Sequence, residues 1–293
     1  MSRQRTMRRV YDNGLKFSSV VARNIDKAME RVFELNKASL IIIDGGVGEG
    51  KTTLAEHIAR YATSVYNEKY SSGRLACYKR EEQLAMGGGD FMNKLQKYAL
   101  TKPVMLYDES GDFTSKRALT SFNFRLNRIF ETYRATKILV VLSLPTFLVL
   151  DNALFYNKIP RLLLHLEKRT KNQGRIKGYS LWRMFYIKHK SKKLVNPLEA
   201  YNYVECNFWA NFLDNDPEEA KKLNDYTLRG KAKIHKQIYA EQSGLMTTKD
   251  LARELQVSVG YIRILIHKKQ IKEEMKVGNV KYYKPDIIAK LKK

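Results

Sequence analysis

Acidic residues are scarce in this chain: 30 Asp and Glu stand against 54 Lys and Arg, a formal net charge of +24. Such an excess repels cationic partners and favours polyanions, either nucleic acid or an anionic membrane. Long apolar runs are also missing. No stretch approaches the roughly 20 apolar residues that a spanning helix needs. The opening MSRQRTMRRVYD is basic and lacks the apolar core of a secretory signal. Nucleic acid is therefore the expected polyanion, with no membrane segment and a cytoplasmic location. Cysteine is limited to Cys77 and Cys206, too few and too far apart for a disulfide framework or a zinc site, so a reduced compartment is expected. His57 and His165 have no metal-ligand spacing with the acids and are expected in core or surface roles. There is no fixed-period repeat and no nuclease constellation.

What is present is enough for a sizeable core. The chain has 293 residues, 44% of them hydrophobic, which suits one large domain and a small one. Residues 1–14 read as a basic arm, and residues 18–36 as a helix in which Val21, Ile25, Ala28, Met29 and Val32 recur at threes and fours. SLIII (39–43) is a short apolar run, expected as a buried strand, and 51–66 a helix. RLACYKR (74–80) reads as a second strand, the triple glycine Gly87–Gly89 as a flexible break between helical pieces, and PVMLYDES (103–110) as a strand ending in acids. Residues 115–133 look helical, and KILVVLSLP (137–145) is the clearest buried-strand pattern in the chain. Strands alternating with helices predict an α/β fold with a mostly parallel central sheet covered on both faces.

Between β-like SLIII and the helix lies DGGVGEGKTT (44–53). It matches G-x-x-x-x-G-K-T through Gly45, Gly50, Lys51 and Thr52. Glycines let such a loop fold tightly with backbone N–H groups facing a phosphate. The expected nucleotide contacts are Gly45, Gly46, Val47, Gly48, Glu49, Gly50, Lys51, Thr52 and Thr53. Lys51 supplies charge between the β and γ phosphates, Thr52 a hydroxyl ligand for Mg²⁺, and the helix its positive end. At the end of VMLYDES, Asp108 is placed to hold Mg²⁺ and Glu109 to polarise the attacking water. A water-activating Glu109 favours hydrolysis of ATP over phosphate transfer to a small molecule. Ser143, at the end of the next strand, is the candidate γ-phosphate contact. Arg125, Arg128, Arg134 and Arg161 are the candidates for a charge supplied in trans, which implies a ring or filament of identical subunits.

After Pro145 the pattern changes. RLLLHLEKR (161–169) and SLWRMFYIKHK (180–190) read as two strands of a basic hairpin joined by TKNQGRIKGY, with a short helix at 161–168 as the rival. Residues 161–193 carry eleven Lys or Arg and one Glu, suited to a pore lining or to tracking a duplex. The aromatics around 179–186, mixed with Arg183 and Lys188, fit either nucleic-acid contact or inward packing. Residues 197–240 read as a linking segment. Residues 241–293 read as helix, turn, helix and a two-stranded wing around Gly278–Asn279, a winged helix-turn-helix. In it, Ser258, Tyr261, Arg263 and Lys268 are expected on the polar face of the groove-entering helix. Lys276 and Lys281 reach backbone phosphate from the wing. Ile262, Leu265 and Ile266 face the small core. A module of this shape used for protein contacts is the alternative.

GGVGEGKTT, VMLYDES and KILVVLSLP together resemble the P-loop ATPases that carry an extra strand between the glycine loop and the acidic strand. The stretch YDESGDFTSKRALTSFNFRLNRIFETYRATKILVVLSLPTFLVLD is similar to the DNA-translocating and packaging-like branch found on archaeal and viral mobile elements, including conjugation and phage-assembly ATPases. The resemblance covers roughly residues 38–190. It implies an oligomeric, Mg²⁺-dependent ATPase that moves or remodels DNA, with Lys51 and Thr52 as the glycine-loop pair, Asp108 and Glu109 as the acidic pair, and Arg134 as the trans-acting arginine. Motors of that branch often carry glutamine where Ser143 is followed here by Leu144 and Pro145. AAA+ replication initiators, helicase loaders and transposition regulators, which work with partner proteins, share the same acids and are the main alternative. A winged-helix transcription regulator with a P-loop sensor is a third.

Overall fold

Residues 39–45 are apolar except at their ends, and every one of them is buried. That demands strands on both sides. In the computed structural model, which describes residues 16–73, 75–108, 123–124, 126–127, 130, 136–170, 173–277 and 279–292, this strand β1 (Ser39–Gly45) runs parallel to β4 (Leu139–Leu144) on one side and β5 (Pro160–Thr170) on the other. Beyond β4 lies β3 (Val104–Asp108), then β2 (Leu84–Met86), all parallel. β6 (Gln173–Ser180) and β7 (Phe208–Leu213) extend the other side antiparallel. The seven-stranded order is β2-β3-β4-β1-β5-β6-β7. This is a mixed α/β fold with a mostly parallel sheet, and β4 separates the strand that feeds the glycine loop from the strand that ends in Asp108.

Helices cover both faces, so the central strands read as continuous apolar runs. α1 (Ser19–Phe33) buries Val21, Ile25, Ala28, Met29 and Val32, the stripe its periodicity predicts, and packs on α2 (Lys51–Lys69). On the opposite face, Leu40, Ile42, Val140, Leu142, Leu163 and Tyr179 share one apolar cluster with Phe147, Phe155, Met184, Ile187 and Tyr201. Each such aliphatic side chain contributes about 1.5–3 kcal/mol on burial. The outer edge of β7 is closed by residues 16–18: the Leu213 N–H donates to the Lys16 carbonyl and the Ser18 N–H to the Asn211 carbonyl. This covers backbone groups that would otherwise offer an open edge.

Several elements differ from the sequence expectation. The second strand is not at 74–80. Arg80–Gln83 is a helical turn, α3, and Leu84–Met86 forms the strand. Leu84, Ala85 and Met86 are all buried, whereas Leu75 upstream is exposed. The triple glycine is no flexible break: Gly87 turns at φ 88° and Gly88 starts α4 (Gly88–Tyr98). The hairpin is β5–β6, and its second strand is the glycine-containing segment taken for the connecting loop. In β6, Gly174 and Gly178 face Phe212 and Phe208 of β7, whose rings lie where Cβ atoms would sit. The glycines belong to a strand because neighbouring rings fill their space. SLWRMFYIKHK is consequently helix α6 (Leu181–Ser191), which buries Met184, Ile187, Lys188 and Ser191 at helical spacing. Its β-prone aromatics misled the reading, since Trp182 and Tyr186 are exposed. Within the expected linking segment, Phe208–Leu213 is an edge strand of the main sheet. α5 (Asn152–Tyr156) and α7 (Ala200–Tyr203) complete this part.

Chain contacts divide the protein into two units, Met1–Leu223 and Asn224–Lys293, with the division inside α8 (Pro217–Gln242). In the second unit, β8 (Met246–Thr247) leads into α9 (Thr248–Glu254). Thr247, the N-cap, and Asp250 form a reciprocal capping box there. α10 (Val259–Lys268) follows, then β9 (Met275–Val277), β10 (Val280–Tyr283) and α11 (Ile287–Lys292). The three strands pair antiparallel in the order β8-β10-β9. Leu251, Ala252, Ile262, Tyr283, Ile287 and Leu291 form its core.

Candidate functional site

β1 delivers the chain to the loop 45–50 at Gly45, whose φ of 144° lies in a region that side chains rarely adopt. A Cβ there would sit 2.6 Å from the Leu166 carbonyl oxygen on β5. Gly48 and Gly50 also have positive φ, 83° and 84°. Gly50 is the N-cap of α2, with no side-chain cap and no acid in the first turn. The first N–H groups of a 19-residue helix therefore face the loop without a capping side chain, the arrangement that suits an anion.

Lys51 opens that helix. Its ammonium donates to the carbonyl oxygens of Gly45 and Gly46 at 2.8 and 2.7 Å, so the charge is folded over the loop. Thr52 follows, and its hydroxyl donates to an Asp108 carboxylate oxygen at 2.8 Å. Asp108 ends β3 and is largely buried. Ser143 stands between the two arms: its register partners are Asp108 on β3 and Ile43 on β1. Among the described residues, the buried Ser143 Oγ has no hydrogen-bond partner, nor has one buried carboxylate oxygen of Glu49 in the loop. Lys51, Thr52, Asp108 and Ser143 are thus brought together from three neighbouring strand ends. The Thr52 and Asp108 oxygens form a hard, all-oxygen donor set, which fits Mg²⁺. Among the described residues no cluster of three His, Cys, Asp or Glu suggests another metal centre.

Glu109, Arg125, Arg128 and Arg134 lie outside the described residues. Arg161 is described and exposed. It follows Pro160, which pairs with Leu40, so it sits at the end of the sheet opposite the glycine loop. The Arg31 guanidinium has its pKa lowered by burial and by the nearby Arg161 charge.

The sequence reading gave Asp44 no role. It is fully buried immediately before the loop. One carboxylate oxygen lies 2.8 Å from the His165 Nδ1, and the other accepts the Phe147 N–H at 2.9 Å and the Tyr201 hydroxyl in a short hydrogen bond. The His165 and Tyr201 rings stack with centroids 3.9 Å apart. Burial and the Asp44 charge push the Tyr201 hydroxyl well above its ordinary range. Asp44 thereby ties β1 to β5, α7 and the segment after β4, and fixes the frame on which the loop is mounted. The signal was an acid ending an otherwise apolar strand. His165, one of the two histidines assigned to core or surface, serves this anchor. His57 is buried with Nε2 2.9 Å from the Leu213 carbonyl, and burial lowers its pKa.

In the second unit the sequence-selected residues distribute as follows. The Ser258 hydroxyl caps α10 by accepting the Tyr261 N–H at 3.1 Å. Tyr261, Arg263 and Lys268 are exposed, as are Lys276 and Lys281 on the hairpin. Lys281 pairs with Glu273 at 3.2 Å. Ile262 is buried, and Leu265 and Ile266 pack against the same core. Among the described residues, no helix is long and apolar enough to cross a membrane.

No protein-family model matches the sequence, and comparison with curated proteins gives no match. Among solved structures, the N-terminal domain of zonular occludens toxin from Neisseria meningitidis is similar over 61% of this chain and 96% of its own, at 12% identity and a TM-score of 0.34. Domain III of the replication initiation protein DnaA from Thermotoga maritima is similar over 85% and 91%, at 16% identity and a TM-score of 0.31. The flagellar accessory protein FlaH from Methanocaldococcus jannaschii is similar over 49% and 77%, at 12% identity and a TM-score of 0.24. At identities and scores this low, the chemistry rests on this chain's own geometry.

Proposed function

We propose that this chain is a Mg²⁺-dependent ATPase that acts on DNA, translocating or remodelling it as an oligomer. The single observation that carries the reading is the Thr52–Asp108 hydrogen bond beside Lys51. It joins the first turn of the phosphate-facing helix to an acid two strands away, with β4 between them. In this reading the loop N–H groups and the α2 terminus bind the phosphates, and Lys51 exchanges its loop carbonyls for phosphate oxygens. Thr52 and Asp108 hold Mg²⁺, which supplies charge neutralisation to the phosphate chain when bound. Ser143, buried without a partner among the described residues, donates to the γ-phosphate. Glu109 takes the proton from the attacking water, and Arg134 completes the site of a neighbouring copy.

The second unit is assigned as a winged helix-turn-helix that binds duplex DNA. Its α10 presents Tyr261, Arg263 and Lys268, and its β9–β10 wing presents Lys276 and Lys281. Ser258 contributes by capping α10. Residues 226–293 carry sixteen Lys or Arg against six Asp or Glu, a charge suited to phosphate. The AAA+ loader or switch is the weaker alternative, because β5 is followed by two further strands of the main sheet, β6 and β7, with α6 and α7 between them, in place of a helical lid.

Steady-state ATP hydrolysis tests the proposal, measured at matched ionic strength without DNA, with single strands and with duplex, alongside Glu109→Gln. A large DNA-dependent rise that the substitution abolishes is the expected result. Slow turnover that DNA leaves unchanged favours the partner-dependent loader. Turnover retained in Glu109→Gln removes Glu109 as the base.

A further inference from the structure

On the outer part of the central sheet, two and three strands across from β1, β6 and β7 pair Lys177 with Trp209 and Arg175 with Asn211. Alternation along each strand puts these four side chains on one face. The Arg175 guanidinium lies 3.9 Å from the Trp209 ring centroid, and the Lys177 ammonium lies 5.0 Å from it. Trp209 is nonetheless 47% exposed. An indole is costly to leave in water, and two cations on it add charge where packing alone needs none. Lys177 also pairs with Glu167. Among the described residues no carboxylate pairs with Arg175.

A second pair of the same kind stands in the helical layer over this face. Tyr201 of α7 stacks on His165 of β5, whose register partner is Lys177, so α7 covers that face. At the end of α7, Tyr203 is exposed, with the Lys190 ammonium of α6 4.6 Å from its ring. The surrounding segment 161–193 carries a single acid, Glu167, among eleven basic residues. Exposed rings flanked by cations match a base beside its phosphates, since every unpaired base offers a π-face and the backbone offers charge. Duplex bases are stacked on one another and offer no such face.

We propose that the β6–β7 face formed by Arg175, Lys177 and Trp209 binds single-stranded nucleic acid, with Trp209 as a stacking platform and the exposed Arg175 guanidinium on the backbone. This site belongs to the first unit. It uses none of the glycine-loop residues and none of the α10 residues, and it requires no ATP hydrolysis.

The chain has two tryptophans, so Trp182→Phe leaves Trp209 as the sole indole. In that full-length background without nucleotide, Trp209 emission is followed during titration with oligothymidylate, oligouridylate, duplex DNA of the same length, and polyglutamate. Binding of labelled oligothymidylate by anisotropy is measured in parallel on Trp209→Ala and Arg175→Gln, with thermal melting to confirm folding. The expected result is saturable quenching by the single strands that weakens with salt, and an affinity loss of about tenfold in Trp209→Ala. Quenching should persist when Arg263 and Lys268 are replaced by alanine. A preference between the two oligonucleotides decides DNA or RNA within the proposal. Unchanged anisotropy affinity in folded Trp209→Ala and Arg175→Gln overturns it, as does absent quenching. Equal quenching by duplex overturns the single-strand assignment, and equal quenching by polyglutamate the nucleic-acid one.

Discussion

Two glycines in one loop separate the effect of backbone strain from the effect of space. Gly48 has φ 83° and, among the described residues, nothing within 4 Å of a built Cβ. Alanine there costs only left-handed strain, about 1–2 kcal/mol. Gly45 has φ 144°, and its Cβ would approach the Leu166 carbonyl oxygen to 2.6 Å and its Cβ to 3.0 Å. That backbone region costs about 1–3 kcal/mol for an L residue. The clash cannot be relieved by a side-chain rotation, because the obstructing atom is backbone of the paired strand. Separating β1 from β5 adds an overpacking cost of about 1–3 kcal/mol. Gly45→Ala is therefore expected to destabilise by about 2–6 kcal/mol, clearly more than Gly48→Ala, when both are compared by urea unfolding. It also displaces one of the two carbonyls that hold Lys51, so a fluorescent ATP analogue should bind far more weakly to folded Gly45→Ala than to Gly48→Ala. If Gly45→Ala proves no less stable than Gly48→Ala, the close approach of the loop to β5 is wrong.

Further outcomes follow from other buried groups. Lys188 is buried on α6, donates to the Leu150 carbonyl at 2.5 Å, and has its pKa pushed down to about 8 by burial. The unfolded chain thus binds more protons between about pH 8 and the ordinary lysine range, so stability should rise with pH across that window. A shift of this size is worth about 3 kcal/mol in all, and Lys188→Met should flatten the rise in urea midpoints. Asp44→Ala leaves the Phe147 N–H and the Tyr201 hydroxyl without their acceptor. A loss of about 3 kcal/mol is expected from chemical denaturation. Ser258→Ala should lower thermal stability by about 1 kcal/mol through the lost α10 cap. Arg263→Ala, by contrast, should leave melting unchanged and reduce the salt slope of duplex binding by about one.

How much of this was legible depended on where the physical cause lay. The glycine loop, its flanking strand and helix, and the acid-ended strand were readable because their signals are local: a φ-demanding spacing, an apolar run, a charged stop. The parallel register that sets β4 between β1 and β3 and brings Thr52 to Asp108 is long-range, and only the resemblance to P-loop ATPases implied an extra strand there. The segment 170–191 was misread because its cause was not local. Gly174 and Gly178 are strand residues on account of Phe212 and Phe208, 38 and 30 positions away. The helix 181–191 is fixed by which residues it buries, while its exposed aromatics carried the strand signal. Asp44 escaped notice because its partners, Phe147, His165 and Tyr201, are supplied by three separate later segments.

Nucleotide binding at the glycine loop is read by calorimetry of ATP, with Mg²⁺ and then with EDTA, on wild type, Lys51→Ala and Thr52→Ala. Wild type is expected to bind more tightly with Mg²⁺. Lys51→Ala is expected to weaken binding at least tenfold in either buffer. Thr52→Ala should bind like wild type in EDTA yet gain little from the metal. ATP binding of equal strength in all three proteins, with the same Mg²⁺ dependence, would show that the loop and Asp108 are not the nucleotide site.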